Sequence, residues 1–121
     1  MAFTNNGKHV MLNALGAVAV KASLHDDDPS TNGANEVSGG SPAYAKKTIA
    51  WDAAADGEMD KAADPAVVFD VPTGTTVKYV GFWNSAADTF YGSAAVTNEV
   101  FAAQGTYTLL NTTKFDIDDP A

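Results

Sequence analysis

The sequence predicts an all-β, mainly antiparallel fold, a β-sandwich or jelly-roll-like domain with one short N-terminal helix. Two observations predict it. Apolar and polar residues alternate with a period of two in several separate segments, as they do in half-buried strands. Clusters of Gly, Pro, Asn and Asp separate these segments at near-regular intervals, which is typical of antiparallel sandwiches. Since 121 residues is about the size of one domain, we expect residues 1–121 to form a single domain.

The predicted helix covers residues 5–15. Thr4 stands before it and can accept a hydrogen bond from a free backbone N–H of the first turn. Apolar residues then recur at helical spacing, and Gly16 is expected to end the helix.

The first predicted strand, residues 17–25, puts Val18, Val20, Ala22 and Leu24 on one face and leaves the other face polar. Two long surface loops are predicted at residues 26–42 and 52–65, the second with a helical turn near residues 57–63. A hairpin is predicted between residues 67–71 and 75–84 through Pro72-Thr73-Gly74. The other predicted strands are residues 44–51, 89–96, 99–101, 106–110 and 113–117.

The predicted core is built from inward positions of these strands. Aromatic and β-branched side chains bury the largest apolar areas there. Phe82 and Trp83 are neighbours on one strand and must point to opposite faces, so only one of them is expected in the core and the other is expected to face a partner. The predicted core residues are Val18, Val20, Leu24, Ile49, Trp51, Val67, Phe69, Val77, Tyr79 and either Phe82 or Trp83.

Composition argues against several partners. The chain has a net charge of -8 and its seven basic residues are all lysine, whereas phosphate backbones are held by basic patches rich in arginine. We therefore expect no nucleic-acid partner. The chain contains no cysteine, which excludes disulfides and thiolate metal sites. No window approaches the roughly 20 apolar residues that span a bilayer, so no membrane partner is expected. No cofactor is expected either.

No catalytic residue is assigned, and the chain is predicted not to be an enzyme. His9 and His25 are the groups that titrate near neutral pH, and neither has a plausible serine partner nearby in sequence. The six serines lack the glycine-flanked turn that exposes a nucleophile. Both histidines are therefore interpreted as surface or strand-end residues.

Two binding alternatives remain open. The acidic stretches at residues 26–28, 56–60 and 116–119 do not match the alternating oxygen ligands of a calcium loop, so no metal site is assigned and solvated turns are favoured. An aromatic series could form a sugar-binding platform, although its inward members are expected in the core. That series is Tyr79, Phe82, Trp83, Phe90 and Tyr91.

An ordered series of short motifs resembles a known family. These are Ala22-Ser23-Leu24-His25 with Asp28-Pro29, residues 33–40 (GANEVSGG), Tyr44-Ala45, Trp51, residues 69–77 (FDVPTGTTV), residues 80–83 (VGFW), Tyr91-Gly92 and Gly105-Thr106-Tyr107. Together they resemble small virion surface proteins of tailed bacteriophages, especially those of actinobacteria, described as head decoration, minor tail or tail-fibre-like proteins. The series departs from the usual pattern near Lys46 and Lys47, where an arginine is expected.

The resemblance implies a structural protein on the outer surface of a virion, made in the host cytoplasm. Its implied partners are the major capsid protein or other virion proteins, and we expect a homo-oligomer on the virion. A fibre needs a shaft of heptads, collagen-like triplets or other repeats, and the sequence shows none. Capsid decoration is therefore the first expectation. The alternative is a minor tail or fibre-tip module that binds host glycans.

Overall fold

The computed structural model describes residues 3–63, 66–110 and 113–116. These residues form a mostly antiparallel β structure with one N-terminal helix, which confirms the predicted fold class. The elements are α1 (Asn5–Val18), β1 (Lys21–His25), β2 (Lys47–Thr48), β3 (Glu58–Asp60), β4 (Val67–Val71), β5 (Thr75–Trp83), β6 (Phe90–Phe101), β7 (Gly105–Leu109) and β8 (Lys114–Asp116).

Three antiparallel sheets make up the domain. A four-stranded sheet has the order β2-β1-β5-β6, and two-stranded sheets pair β4 with β7 and β3 with β8. The β4–β7 pair packs against the inner face of the four-stranded sheet. The core lies between these two layers, as in a sandwich.

The core contains most of the predicted residues. Leu24, Ile49, Val67, Phe69, Val77 and Phe82 are buried there. Trp83 is also buried, but on the outer face of the four-stranded sheet. Val20, Trp51 and Tyr79 are only half-buried. The predicted core omits several side chains that are buried in the structure, among them Leu12, Met59, Val71, Val80 and Leu109.

The helix begins as predicted and ends three residues later than predicted. Thr4 caps it, accepting a hydrogen bond from the backbone N–H of Gly7 at 3.1 Å. Gly16 lies inside the helix and faces Met59. A Cβ at this position would come within 2.7 Å of the Met59 sulfur. Its lack of a side chain thus permits close packing and does not end the helix. Val18 consequently lies on the helix and is 43% exposed, so its assignment to a strand and to the core was wrong.

Strand β1 is buried on both faces, not on one. Ala22 and Leu24 face the main core, as the alternation predicted. Ser23 and His25 point the other way and are also fully buried. The reason is that the loop at residues 26–42 folds back over this outer face of the sheet.

The predicted hairpin between residues 67–71 and 75–84 was wrong. Strand β4 pairs with β7, while β5 pairs with β1 and β6. The turn at Pro72-Thr73-Gly74 carries the chain from one layer to the other. Since the apolar face of β4 is buried against the facing sheet, the two strands belong to opposite layers.

Other boundaries also differ from those predicted. Residues 57–63 contain strand β3 and no helical turn, because Asp56-Gly57, both at positive φ, form a tight hairpin with Ala55 and Glu58 exchanging backbone hydrogen bonds. An Asp-Gly pair is a strong hairpin signal. The predicted strand at residues 44–51 shortens to β2. The strands predicted at 89–96 and 99–101 are one strand, β6, with a register shift opposite Val77–Tyr79. Ile117 lies outside the described residues, as do Asp64 and Pro65.

Candidate functional site

A groove of about 630 Å³ runs along the open side of the sandwich. Its floor and one wall come from Val80 on β5 and from Ala94 and Val96 on β6, and its other wall comes from Tyr107 and Leu109 on β7. It exists because the two-stranded layer is narrower than the four-stranded layer. The inward side chains of β6 are therefore only half-buried.

Both strands beside the groove end a sheet. Within the described parts of the chain, β6 pairs only with β5, and β7 pairs only with β4. The outer edge of such a strand carries backbone N–H and C=O groups that can pair with another chain. β6 has 12 residues and a single charged one, Glu99, and it lacks the Lys or Pro that often protects edge strands.

The groove has one acidic end. Glu99 lines it, and the nearby Tyr107 phenol has a pKa raised above 10.0, mainly by burial and further by the charge of Glu99. Leu110 stands at the rim and is 66% exposed. The groove thus combines an apolar floor, two open strand edges and a negative charge.

The outer face of α1 is also apolar and open. The helix packs against β3 and buries Leu12, whereas Val10 is 72% exposed and Met11 and Val18 are also exposed. The short helix therefore offers a second apolar surface.

Ser23, His25 and Trp83 form a buried polar cluster on the outer face of the four-stranded sheet. The Ser23 Oγ lies 2.7 Å from the Nε2 of His25, and the Nε1–H of Trp83 donates to the same oxygen at 2.8 Å. The Nδ1 of His25 lies 2.7 Å from the carbonyl oxygen of Ala34. A carbonyl only accepts, so Nδ1 carries the proton and Nε2 accepts from the Ser23 hydroxyl.

His25 was interpreted as a surface or strand-end residue without a serine partner. The cluster shows that Ser23 is its partner. His25 stands at a strand end but is fully buried. Residues 23 and 25 share one face of β1, and this spacing of two was the signal that could have identified the pair. Burial lowers the pKa of His25 below 6.5, although the bond to Ala34 opposes that shift.

The cluster holds its loop in place and does not resemble a working nucleophile. Ser23 and His25 have no exposed surface, and the Ser23 oxygen is already held by the Trp83 indole. Gly33 sits against the Trp83 ring at φ +76, where a Cβ would clash at 2.3 Å. A substrate therefore has no path to this serine.

A partly buried ion pair completes the attachment of the loop. Lys46 Nζ lies 2.8 Å from Glu36 Oε1 and 4.5 Å from the centre of the Trp83 ring. The Tyr44 hydroxyl donates to Glu36 Oε2 at 2.8 Å and accepts from the Leu24 backbone N–H at 2.9 Å. Lys46, where an arginine was expected, thus anchors the loop.

The other candidate residues lie apart from the groove. His9 accepts a hydrogen bond from the Gly57 backbone N–H at 3.0 Å. Asp27 and Asp28 accept from backbone N–H groups of their own turn. Within residues 3–63, 66–110 and 113–116, no group of three acidic or histidine side chains is arranged to hold a metal ion. Residues 117–119 of the acidic tail lie outside the described residues.

The aromatic series does not form one exposed platform. Phe82 packs in the main core, and Trp83 is buried on the opposite face with Phe90 at 5.0 Å between ring centres. Tyr91 is 41% exposed. The expectation that only one of Phe82 and Trp83 would be buried was wrong, because the folded-back loop covers the second face.

Comparison with protein-family models, curated proteins and solved structures finds no match for this chain. α1, the one helix in the described ranges, is neither long nor apolar enough to cross a membrane. The fold and the site define a small β-sandwich domain with an open, strand-lined groove.

Proposed function

We propose that this chain is a non-enzymatic structural protein of a bacteriophage virion that binds the assembled capsid lattice as a decoration protein. The ordered motif series supports the virion assignment. The observation that carries the binding role is the apolar groove with two open strand edges, because such a surface is suited to another protein chain.

Repeated weak contacts suit this role. On a lattice, neighbouring copies are held together, so each contact gains effective concentration from the others. The capsid symmetry would arrange the copies as a symmetric homo-oligomer on the exterior of the virion. The affinity would rest on apolar anchors such as Leu110, since exposed ion pairs contribute little.

The alternative, a tail-tip module for host glycans, has less support from the geometry. A sugar platform needs an aromatic face open to solvent, and Trp83 is covered by the loop at Gly33. The burial of Trp83 leaves Tyr91, which is 41% exposed, as the one exposed ring of the aromatic series, so the geometry supports the glycan alternative less.

Co-sedimentation with purified capsids that lack the protein tests the proposal. We expect saturable binding with a copy number set by lattice symmetry. Leu110→Asp, at the groove rim, should weaken binding, whereas Val68→Asp on the outer face of β4, at 41% exposure, should not. Absence of binding, or location at the tail end in electron micrographs, would refute the decoration role.

A further inference from the structure

The sandwich has space for one more strand beside β7. The β4–β7 layer leaves Ala94 and Val96 without a facing strand in the described part of the chain, and the groove above them is bordered by the open edge of β7. We propose that an extended segment of a partner protein fills the groove by adding a strand to β7. This deepens the proposed function and rests on it for the identity of the partner as a virion protein.

An extended segment fits this groove better than a compact ligand does. The five residues of β7 span about 17 Å, and their free backbone groups are satisfied by another backbone along that length. Successive side chains of an added strand point to opposite sides. Every second side chain would therefore enter the groove above Val80, Ala94 and Val96, and the others would face solvent beside Thr106 and Thr108.

The charges favour a different protein over a second copy of this chain. Two copies would each bring a net charge of -8, which opposes their association. The carboxylate of Glu99, which lines one end of the groove, instead suits a basic side chain. The inferred partner segment has apolar residues at alternate positions and a Lys or Arg at the end near Glu99.

A selection experiment tests the inference without any capsid. A library of random peptides about nine residues long is displayed on yeast and selected with the folded protein. We expect enriched sequences to alternate apolar residues and to carry Lys or Arg at one end. Hydrogen exchange should show new protection of the β7 amides in the complex. Enrichment of sequences without alternation would overturn the inference, as would unchanged exchange in β7.

Covalent blocking of the groove at a single introduced cysteine supplies the matched control. Because the chain has no cysteine, Val96→Cys offers a single site in the groove that a bulky maleimide can fill after folding. Val68→Cys offers the same chemistry on the outer face of β4. Alkylation at position 96 should weaken peptide binding about tenfold or more, because the added group occupies the volume of the inward side chains. Alkylation at position 68 should leave binding unchanged, and equal effects would overturn the inference.

Capsid binding by the same alkylated proteins separates the two proposals. If the groove binds the peptides but capsids do not bind the unmodified protein, the added strand stands and the decoration role fails. If capsids bind equally well with position 96 blocked, the decoration role stands and the added strand is wrong. A concentration-dependent dimer that alkylation at position 96 abolishes would show a second copy in the groove and would overturn the choice of partner.

Discussion

Replacing Ser23 with alanine removes one oxygen atom from the buried cluster and changes little else. In the native protein that oxygen donates to His25 Nε2 at 2.7 Å and accepts from Trp83 Nε1 at 2.8 Å. Ser23→Ala therefore leaves an acceptor and a donor without partners. Both groups lie in a site that water does not reach, since Ser23 and His25 are fully buried.

The expected cost follows from the number of groups left unsatisfied. Each buried polar group that loses its partner costs about 1–3 kcal/mol. Two such groups give a loss of about 2–6 kcal/mol in the free energy of unfolding. Domains of this size are stable by about 5–15 kcal/mol, so the variant should fold but unfold at clearly lower urea concentration.

Equilibrium urea unfolding, followed by tryptophan fluorescence, measures this change. Ser38→Ala is the matched control because Ser38 is exposed, and its effect should stay within about 0.5 kcal/mol. A loss below about 1 kcal/mol would refute the structural role of the cluster.

Two further predictions concern the same cluster. The pKa of His25 is lowered below 6.5 in the folded state, so its contribution to stability is complete above pH 6.5 and is lost as the pH falls from there toward the folded value. Urea unfolding at pH 7.5 and 5.5 should show a larger drop for the native protein than for His25→Gln, and equal drops would contradict this. Gly81→Ala should cost about 1–3 kcal/mol, because the new Cβ would lie 2.7 Å from both His25 Nε2 and Ser23 Oγ. Gly92→Ala, with nothing within 4 Å, should be neutral or slightly stabilising in thermal unfolding, and similar results for both would refute the packing argument.

The sequence predicted what depends on neighbouring residues. Thr4 was identified as a cap because the first helical turn always leaves free N–H groups. The inward face of β1, with Ala22 and Leu24, followed from the period of two. Both features depend on residues close in the chain, and both agree with the structure.

Strand pairing and the limits of elements depend on distant residues and were predicted less well. Pro72-Thr73-Gly74 marks a turn in either arrangement, and local sequence does not distinguish a hairpin from a crossing between layers. In the local sequence Gly16 indicates a helix end, but in the structure it provides room for Met59 inside the helix. In both cases tertiary packing decided between two locally acceptable structures.

The groove could not be predicted, because it arises from the difference in width between the two-stranded layer and the four-stranded layer. Ala94 and Val96 alternate on β6 as core residues do. Nothing near them in sequence shows that they lack a facing strand in the described part of the chain. The same holds for Tyr107 on β7. Their exposure depends on the pairing of β4 with β7, which the sequence prediction had assigned differently.

Several residues of the motif series have structural roles apart from the groove. Ser23, His25 and Gly33 belong to the cluster that holds the folded-back loop, and Glu36 and Tyr44 fasten that loop to β1. In this chain these groups attach the loop to the sheet, and none of them lines the groove. The groove lies on the opposite, inner face of that sheet, between β5 and β6 and the facing strand β7. Of the motif series, only Val80 and Tyr107 line it. Variants in the groove therefore test the partner, whereas variants in the cluster test the fold.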